Sequence, residues 1–161
     1  MEHWELVARE RVRDTVAAYN HCGDRFLLDE MVACFTVDGV LESKGDWVAR
    51  GRDEIRRTLS GVRATEPVPA AAGPPDGPRA AAAAGRRPAI VRHFVTNLRF
   101  DEVTPERIRT SAYFAVLTAA GLDHWGRYRD LLVPAEGRWL FAHRLVRIDA
   151  MVPDSPFQRP D

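Results

Sequence analysis

The sequence predicts an α+β fold: N-terminal helices packed inside a strongly curved antiparallel sheet, the whole a cone-shaped barrel. Three observations predict it. Apolar residues recur at helical spacing in most of the first 62 positions, and at strand spacing after Pro88. The two textures are segregated along the chain and do not alternate, which argues against a parallel α/β sheet. Four long apolar runs after Pro88 are joined by short turns, the signature of an antiparallel meander.

Each element follows from its residues. Trp4, Ala8, Val12, Val16 and Tyr19 stand three and four apart on one helical face, and Gly23 ends that helix or turns the chain after it. Leu27, Leu28, Met31, Cys34 and Phe35 repeat the pattern for a short second helix. Val37-Asp38-Gly39 reads as a turn, Val40 to Ser43 as a strand, and Trp47 to Ala49 as its hairpin arm. Asp53 to Val62 is the third helix. Residues 64–88 turn abruptly to Ala, Pro, Gly and Arg, and read as a surface insertion of a single domain spanning 1–161. Strands follow at Ala89 to Phe100, Arg107 to Thr118, Trp125 to Val133 and Trp139 to Asp149. Ile108, Thr110, Ala112, Phe114 and Val116 share one face of the second. The tail, residues 151–161, holds three prolines and reads as an extended arm.

Bulk properties remove several functions. The 23 basic and 23 acidic side chains cancel, whereas a protein that neutralises phosphates needs a basic excess, so nucleic acid is not an expected partner. Met1 to Asp14 mixes charge among its apolar residues and lacks the apolar stretch of a secretory signal. No segment approaches the roughly 20 apolar residues that span a bilayer. Cys22 and Cys34 have no C-x-x-C spacing and read as reduced cysteines of a cytoplasmic protein. His21, Cys22 and Asp24 are too close in sequence to converge on one ion, and a structural zinc needs four ligands. There is no G-x-S-x-G, phosphate loop or H-E-x-x-H, so neither metal nor cofactor is expected. His124 and His143 read as lacking a sequence-local acidic partner.

Several runs together resemble a known family. They are His93-Phe-Val-Thr-Asn-Leu-Arg-Phe, Tyr113-Phe-Ala-Val-Leu, Trp125-Gly-Arg-Tyr-Arg-Asp and Gly137-Arg-Trp-Leu-Phe-Ala-His-Arg, preceded by Tyr19-Asn-His-Cys-Gly-Asp24. Their order and spacing resemble the SnoaL-like group of the nuclear-transport-factor-2-like superfamily, and within it the scytalone-dehydratase-like branch. The resemblance implies proton transfer by a His–Asp pair inside the barrel, carried here by His93 and Asp24. It places Tyr19 ahead of the Asp, where relatives carry Tyr or Lys, and Arg144 where a dehydrochlorinase stabilises its leaving group. The chain departs from scytalone dehydratase at three positions: its second pocket His falls at Thr118, its pocket Asn at Tyr128, and the Tyr before its Asp at Gly23.

The residue types suit that chemistry. An imidazole with an unperturbed pKa of about 6.5 accepts a proton near neutrality, and a carboxylate on its other nitrogen fixes the tautomer and stabilises the cation. Tyr19 or Tyr128 would donate to a developing oxyanion. Phe35, Trp47, Phe114, Val116 and Trp125 are expected apolar walls, with Thr118, Tyr128 and Arg144 as further substrate contacts. Each has a plainer role: Asp24 as a helix N-cap, His93 bonded to a backbone carbonyl, Tyr19 as core, Arg144 on a solvated strand face. The functional expectation is a cofactor-independent lyase or isomerase acting on a small, apolar, cyclic or polyketide-like ligand. A non-catalytic binding or assembly module of the same fold is the alternative, and in either case a homodimer or homotrimer is expected.

Overall fold

The computed structural model describes residues 1–64, 90–153, 155 and 157, with 61–64 described by backbone alone. Helices α1 (His3–Asp24) and α2 (Leu28–Val32) precede strands β1 (Phe35–Ser43) and β2 (Trp47–Arg50) and helix α3 (Gly51–Ala64). Strands β3 (Val91–Val103), β4 (Ile108–Thr118), β5 (Gly121–Ala135) and β6 (Arg138–Met151) complete the chain. The predicted 64–88 insertion lies outside the described residues apart from Ala64.

The six strands form one sheet in the order β2-β1-β6-β5-β4-β3. The four long strands are the expected antiparallel meander, but β1 runs parallel to β6, so the sheet is mixed. Strands β2 and β3 remain as edges, and the cone is a curved open sheet, not a closed barrel. The helices pack on one face. Ala8, Val12, Val16 and Tyr19 of α1 meet Phe35, Leu41, Ile108, Leu132 and Phe141 from the sheet in the main core. The Thr15 hydroxyl donates to the Trp139 carbonyl at 2.6 Å, which pins α1 to β6.

Two sequence readings change here. Helix α2 is one turn and a half, because Cys34 and Phe35 already belong to the approach and start of β1. The predicted turn at Val37-Asp38-Gly39 is a bulge inside β1, where the pairing to β6 shifts register between Phe35 and Val40. Val37 and Asp38 both face solvent there. The Phe35 carbonyl accepts two bonds from Arg52 of α3, at 2.9 and 2.7 Å. Gly39 allows the close approach: a Cβ at that position would lie 2.8 Å from the Phe141 carbonyl oxygen. Of the tail, Ser155 bonds to Asp123 of β5 and Phe157 packs against the second apolar cluster.

A second close approach generates a prediction. A Cβ on Gly126, in the middle of β5, would lie 2.0 Å from the Arg147 carbonyl oxygen of β6. Backbone cannot yield as a side-chain tip can, so the strands must separate. Gly126→Ala is expected to lower unfolding free energy by about 1–3 kcal/mol or more, read as a reduced urea midpoint. An unchanged midpoint would show that the β5–β6 spacing is not constrained there.

Candidate functional site

The site begins where α1 stops. Asp24 is the last residue of the helix, and α2 is capped by Leu27 with no side-chain bond, so Asp24 does not serve as an N-cap. A carboxylate at a helix C-terminus faces the negative end of the dipole, which is unfavourable by itself. Strand β3 supplies the compensation. The His93 backbone N–H donates to both Asp24 oxygens, at 3.0 and 3.2 Å, and His93 Nδ1 lies 2.6 Å from Oδ1. A carboxylate only accepts, so in the neutral ring Nδ1 carries the hydrogen and Nε2 keeps its lone pair. The Asp24 and His93 side chains retain 13% and 22% of their exposure, sheltered but reachable.

The strand register decides what stands beside the dyad. His93 pairs across with Val116, and Val116 pairs across with His124, so the three share one row and one face. Phe114, one rung deeper, stacks on Tyr128 with centroids 4.5 Å apart and meets His124 edge-on at 6.0 Å. Val91, Phe114, Val116 and Tyr128 form a small second core, with Phe26 and Phe157 packed against it. Thr118, paired with Val91, faces the same way and its hydroxyl accepts from Ala120 N–H in the turn.

Tyr128, not Tyr19, is the phenol beside the dyad. Its hydroxyl donates to Asn20 Oδ1 at 3.3 Å, and Asn20 lies four residues before Asp24 on α1. Burial raises its pKa, with the Asp24 charge adding to the effect. Tyr19 sits in the main core, edge-on to Phe35 and Phe141 at 5.7 Å each, and burial pushes its pKa up to about 12. It therefore packs the core with Phe35. Trp47 also packs on that core, from the opposite edge of the sheet. Trp125 follows His124 by one residue, points to the outer face and is 40% exposed, so it is not a wall of this site.

Arg144 corrects the expectation of a solvated face. It is fully buried, donating from Nε and Nη2 to Asp130 at 2.9 and 2.8 Å. Its guanidinium lies over the rings of Tyr128, Phe141 and Tyr19, at 4.1, 4.2 and 4.4 Å. Burial opposes its charge, and the Asp130 carboxylate outweighs that cost and raises its pKa. Among the described residues its Nη1 is buried without a close hydrogen-bond acceptor, while the guanidinium also acts on the Tyr19 hydroxyl.

Sequence reasoning missed a second pair. His124 Nδ1 lies 2.6 Å from Asp123 Oδ2, and the same oxygen accepts from the Ser155 hydroxyl at 2.8 Å. Adjacent residues of a regular strand face opposite ways, but β5 bulges here: Leu117 pairs with Leu122 and Val116 with His124, leaving Asp123 extra. The signal was an adjacent Asp-His in a strand whose next inward residues are apolar or paired. His143 likewise meets Glu42 of the neighbouring strand, at 3.0 Å.

Two of the clefts among the described residues lie elsewhere. One of about 130 Å³ is lined by Lys44, Arg127, Arg129, Leu145 and Arg147. The other, of about 340 Å³, lies beside Arg11, Thr15 and Trp139.

Comparison with known proteins assigns the architecture. The sequence matches the SnoaL-like domain over residues 4–145. The chain belongs to this family. No curated protein matches it in sequence. A solved protein from Catenulispora acidiphila, in complex with S-DNPA, is 28% identical, covering 89% of this chain and 95% of its own with a TM-score of 0.68. A variant of Rv3472 from Mycobacterium tuberculosis, of unknown function, is 25% identical, covering 92% and 76% with a TM-score of 0.70. A scytalone-dehydratase-like protein from Novosphingobium aromaticivorans shares the fold at 19% identity, with 97% of both chains covered and a TM-score of 0.71.

Two stability predictions follow from the buried charges. Asp130→Asn leaves the Arg144 charge unpaired and is expected to destabilise by about 3–5 kcal/mol, whereas replacing both by apolar residues of similar volume recovers most of it. Denaturant titration of the single and double variants measures this, and equal losses in both would contradict it. The second concerns His124, which is bonded to Asp123 of its own strand, packs edge-on to Phe114 and Phe157, and feels the charge of His93 on β3. Burial lowers its pKa, opposed in part by Asp123 and assisted by His93. The unfolded chain then takes up the proton first, so stability present above about pH 6.5 declines as pH falls towards the folded value. His124→Gln is expected to flatten that decline; a wild-type and variant difference constant from pH 7.5 to 5.5 would refute it.

Proposed function

We propose that this SnoaL-like protein is a cofactor-independent lyase or isomerase in which His93, oriented by Asp24, removes a proton from carbon in a small cyclic or polyketide-like ligand. The 2.6 Å contact from Asp24 to His93 Nδ1 carries this reading, because it leaves Nε2 as the basic atom. Family membership supports the coarser class of dehydratase, isomerase or cyclase chemistry. The complex of the Catenulispora relative supports a small organic ligand. A non-catalytic module has no need of His93 held within hydrogen-bond reach of Asp24, so the 2.6 Å contact favours the enzyme reading.

The step balances within the chain's own groups. The C–H bond breaks, its proton passes to His93 Nε2, and its electron pair stays on the ligand as an enolate or expels a leaving group. Asp24 stabilises the imidazolium, an ion pair that gains strength in a sheltered site. The proton then returns, either to the departing oxygen, giving water and an alkene, or to a second carbon, giving an isomer. Tyr128, whose hydroxyl holds only a long bond to Asn20, is the phenol placed to stabilise the oxyanion.

Incubation with hydroxylated cyclic ketones in deuterium oxide tests the proposal, following deuterium entry beside the carbonyl by NMR. His93→Ala and Asp24→Asn are each expected to slow exchange by about 10²–10⁴-fold while circular dichroism is retained. Undiminished exchange in either variant would remove the dyad from the chemistry.

A further inference from the structure

Two imidazoles, not one, are presented by the same row of the sheet. His93 on β3 and His124 on β5 both pair across with Val116 of β4, which is buried on the helix side. Neighbouring strands lie about 4.8 Å apart, so the two Cα atoms are separated by about 10 Å. They are near enough that charge on His93 disfavours charge on His124. Each ring is tied at Nδ1 to a carboxylate at 2.6 Å, and among the described residues neither Nε2 has a protein partner.

The second pair is built with more support than a core histidine needs. The bulge at Asp123 turns its carboxylate to the inner face, where 3% of its exposure remains. Ser155 donates to the oxygen that His124 uses, and the Asp123 carbonyl accepts from Val152 N–H at 2.9 Å. Phe114 and Phe157 hold the ring edge-on from two sides, at 6.0 and 5.1 Å. A buried carboxylate so held fixes which nitrogen of the ring carries hydrogen. The remaining nitrogen is an acceptor flanked by aromatic rings, a setting in which a ligand that brings a matching donor is selected over one that lacks it.

We infer that His124 is a specificity-determining residue of the same site, whose Nε2 accepts a hydrogen bond from a hydroxyl of the ligand while Asp123 and Ser155 act as its positioning residues. The ligand class is thereby narrowed to ring compounds carrying a free alcohol, enol or phenol across from the carbon that faces His93. The proton-abstraction half of that statement rests on the function proposed above; the hydroxyl contact does not.

Binding separates the two. The full chain is titrated with 2-naphthol and with 2-methoxynaphthalene, in which a methyl group replaces the donor hydrogen, and affinities are read by tryptophan fluorescence. The wild type is expected to favour 2-naphthol by about tenfold, the size of one such bond in an apolar site. His124→Phe abolishes that preference and His93→Phe retains it. Because His124→Phe leaves Asp123 without its ring partner, Asp123→Asn/His124→Phe is measured alongside and gives the same loss. Nitrogen-15 NMR of the wild type is expected to show His124 protonated at Nδ1 near pH 8. A preference that survives in both His124 variants, a wild type indifferent to the hydroxyl or blind to both compounds, or an Nε2–H tautomer each overturns the inference. A chain that discriminates the hydroxyl yet catalyses no exchange would keep His124 in this role and refute the dyad chemistry instead.

Discussion

The attachment of the Asp24 carboxylate to His93 is the constraint on which the site depends. It joins the last residue of α1 to the edge strand β3, a strand with only one neighbour in the sheet. The carboxylate takes up backbone and ring donors of one residue at once, so it fixes both the position of the strand and the rotation of the imidazole. A carboxylate at this end of a helix is electrostatically misplaced until those donors arrive. The fold and the reactive geometry are therefore held by the same bonds.

The interior behind the dyad is more polar than a hydrophobic cone suggests. Arg144 and Asp130 face each other across β6 and β5 at the level of the main core, roofed by three aromatic rings. Removing such a pair from water is costly, and the bidentate geometry with aromatic faces offsets that cost. Tyr128 links the two regions: its ring lies against the Arg144 guanidinium, and its hydroxyl donates to Asn20 of α1. Apolar side chains pack around Tyr128: Val116 and Phe114 in its own cluster, Phe26 and Phe157 against them.

Periodicity revealed most of the framework. The inner face of β4 alternates as Ile108, Thr110, Ala112, Phe114 and Val116, and all five are buried. The family resemblance, and not periodicity, brought Asp24 and His93 together across 69 positions. What stayed hidden lies at bulges. Val37-Asp38-Gly39 carries turn residues, yet a carbonyl captured by Arg52 keeps it within a strand. Asp123 and His124 look like opposite-facing neighbours until one extra residue turns both inward. Arg144 sits in an arginine-rich stretch, and only its register opposite Asp130 distinguishes it from its solvated neighbours. Local pattern encodes faces; it does not encode where a ladder slips.

The parallel pairing of β1 with β6 has a consequence for how the molecule comes into being. Phe35 and Val40 to Ser43 find their ladder partners only at Phe141 and His143 to Val146. During synthesis from the N-terminus, β1 therefore waits beside its short hairpin arm with one edge open until nearly the whole chain has emerged. Closing so long a loop is entropically slow, and the waiting edge is a template for errant pairing. The bulge at Val37 and Asp38, which places a charge and a break in that edge, interrupts the flat surface that a stray strand would need.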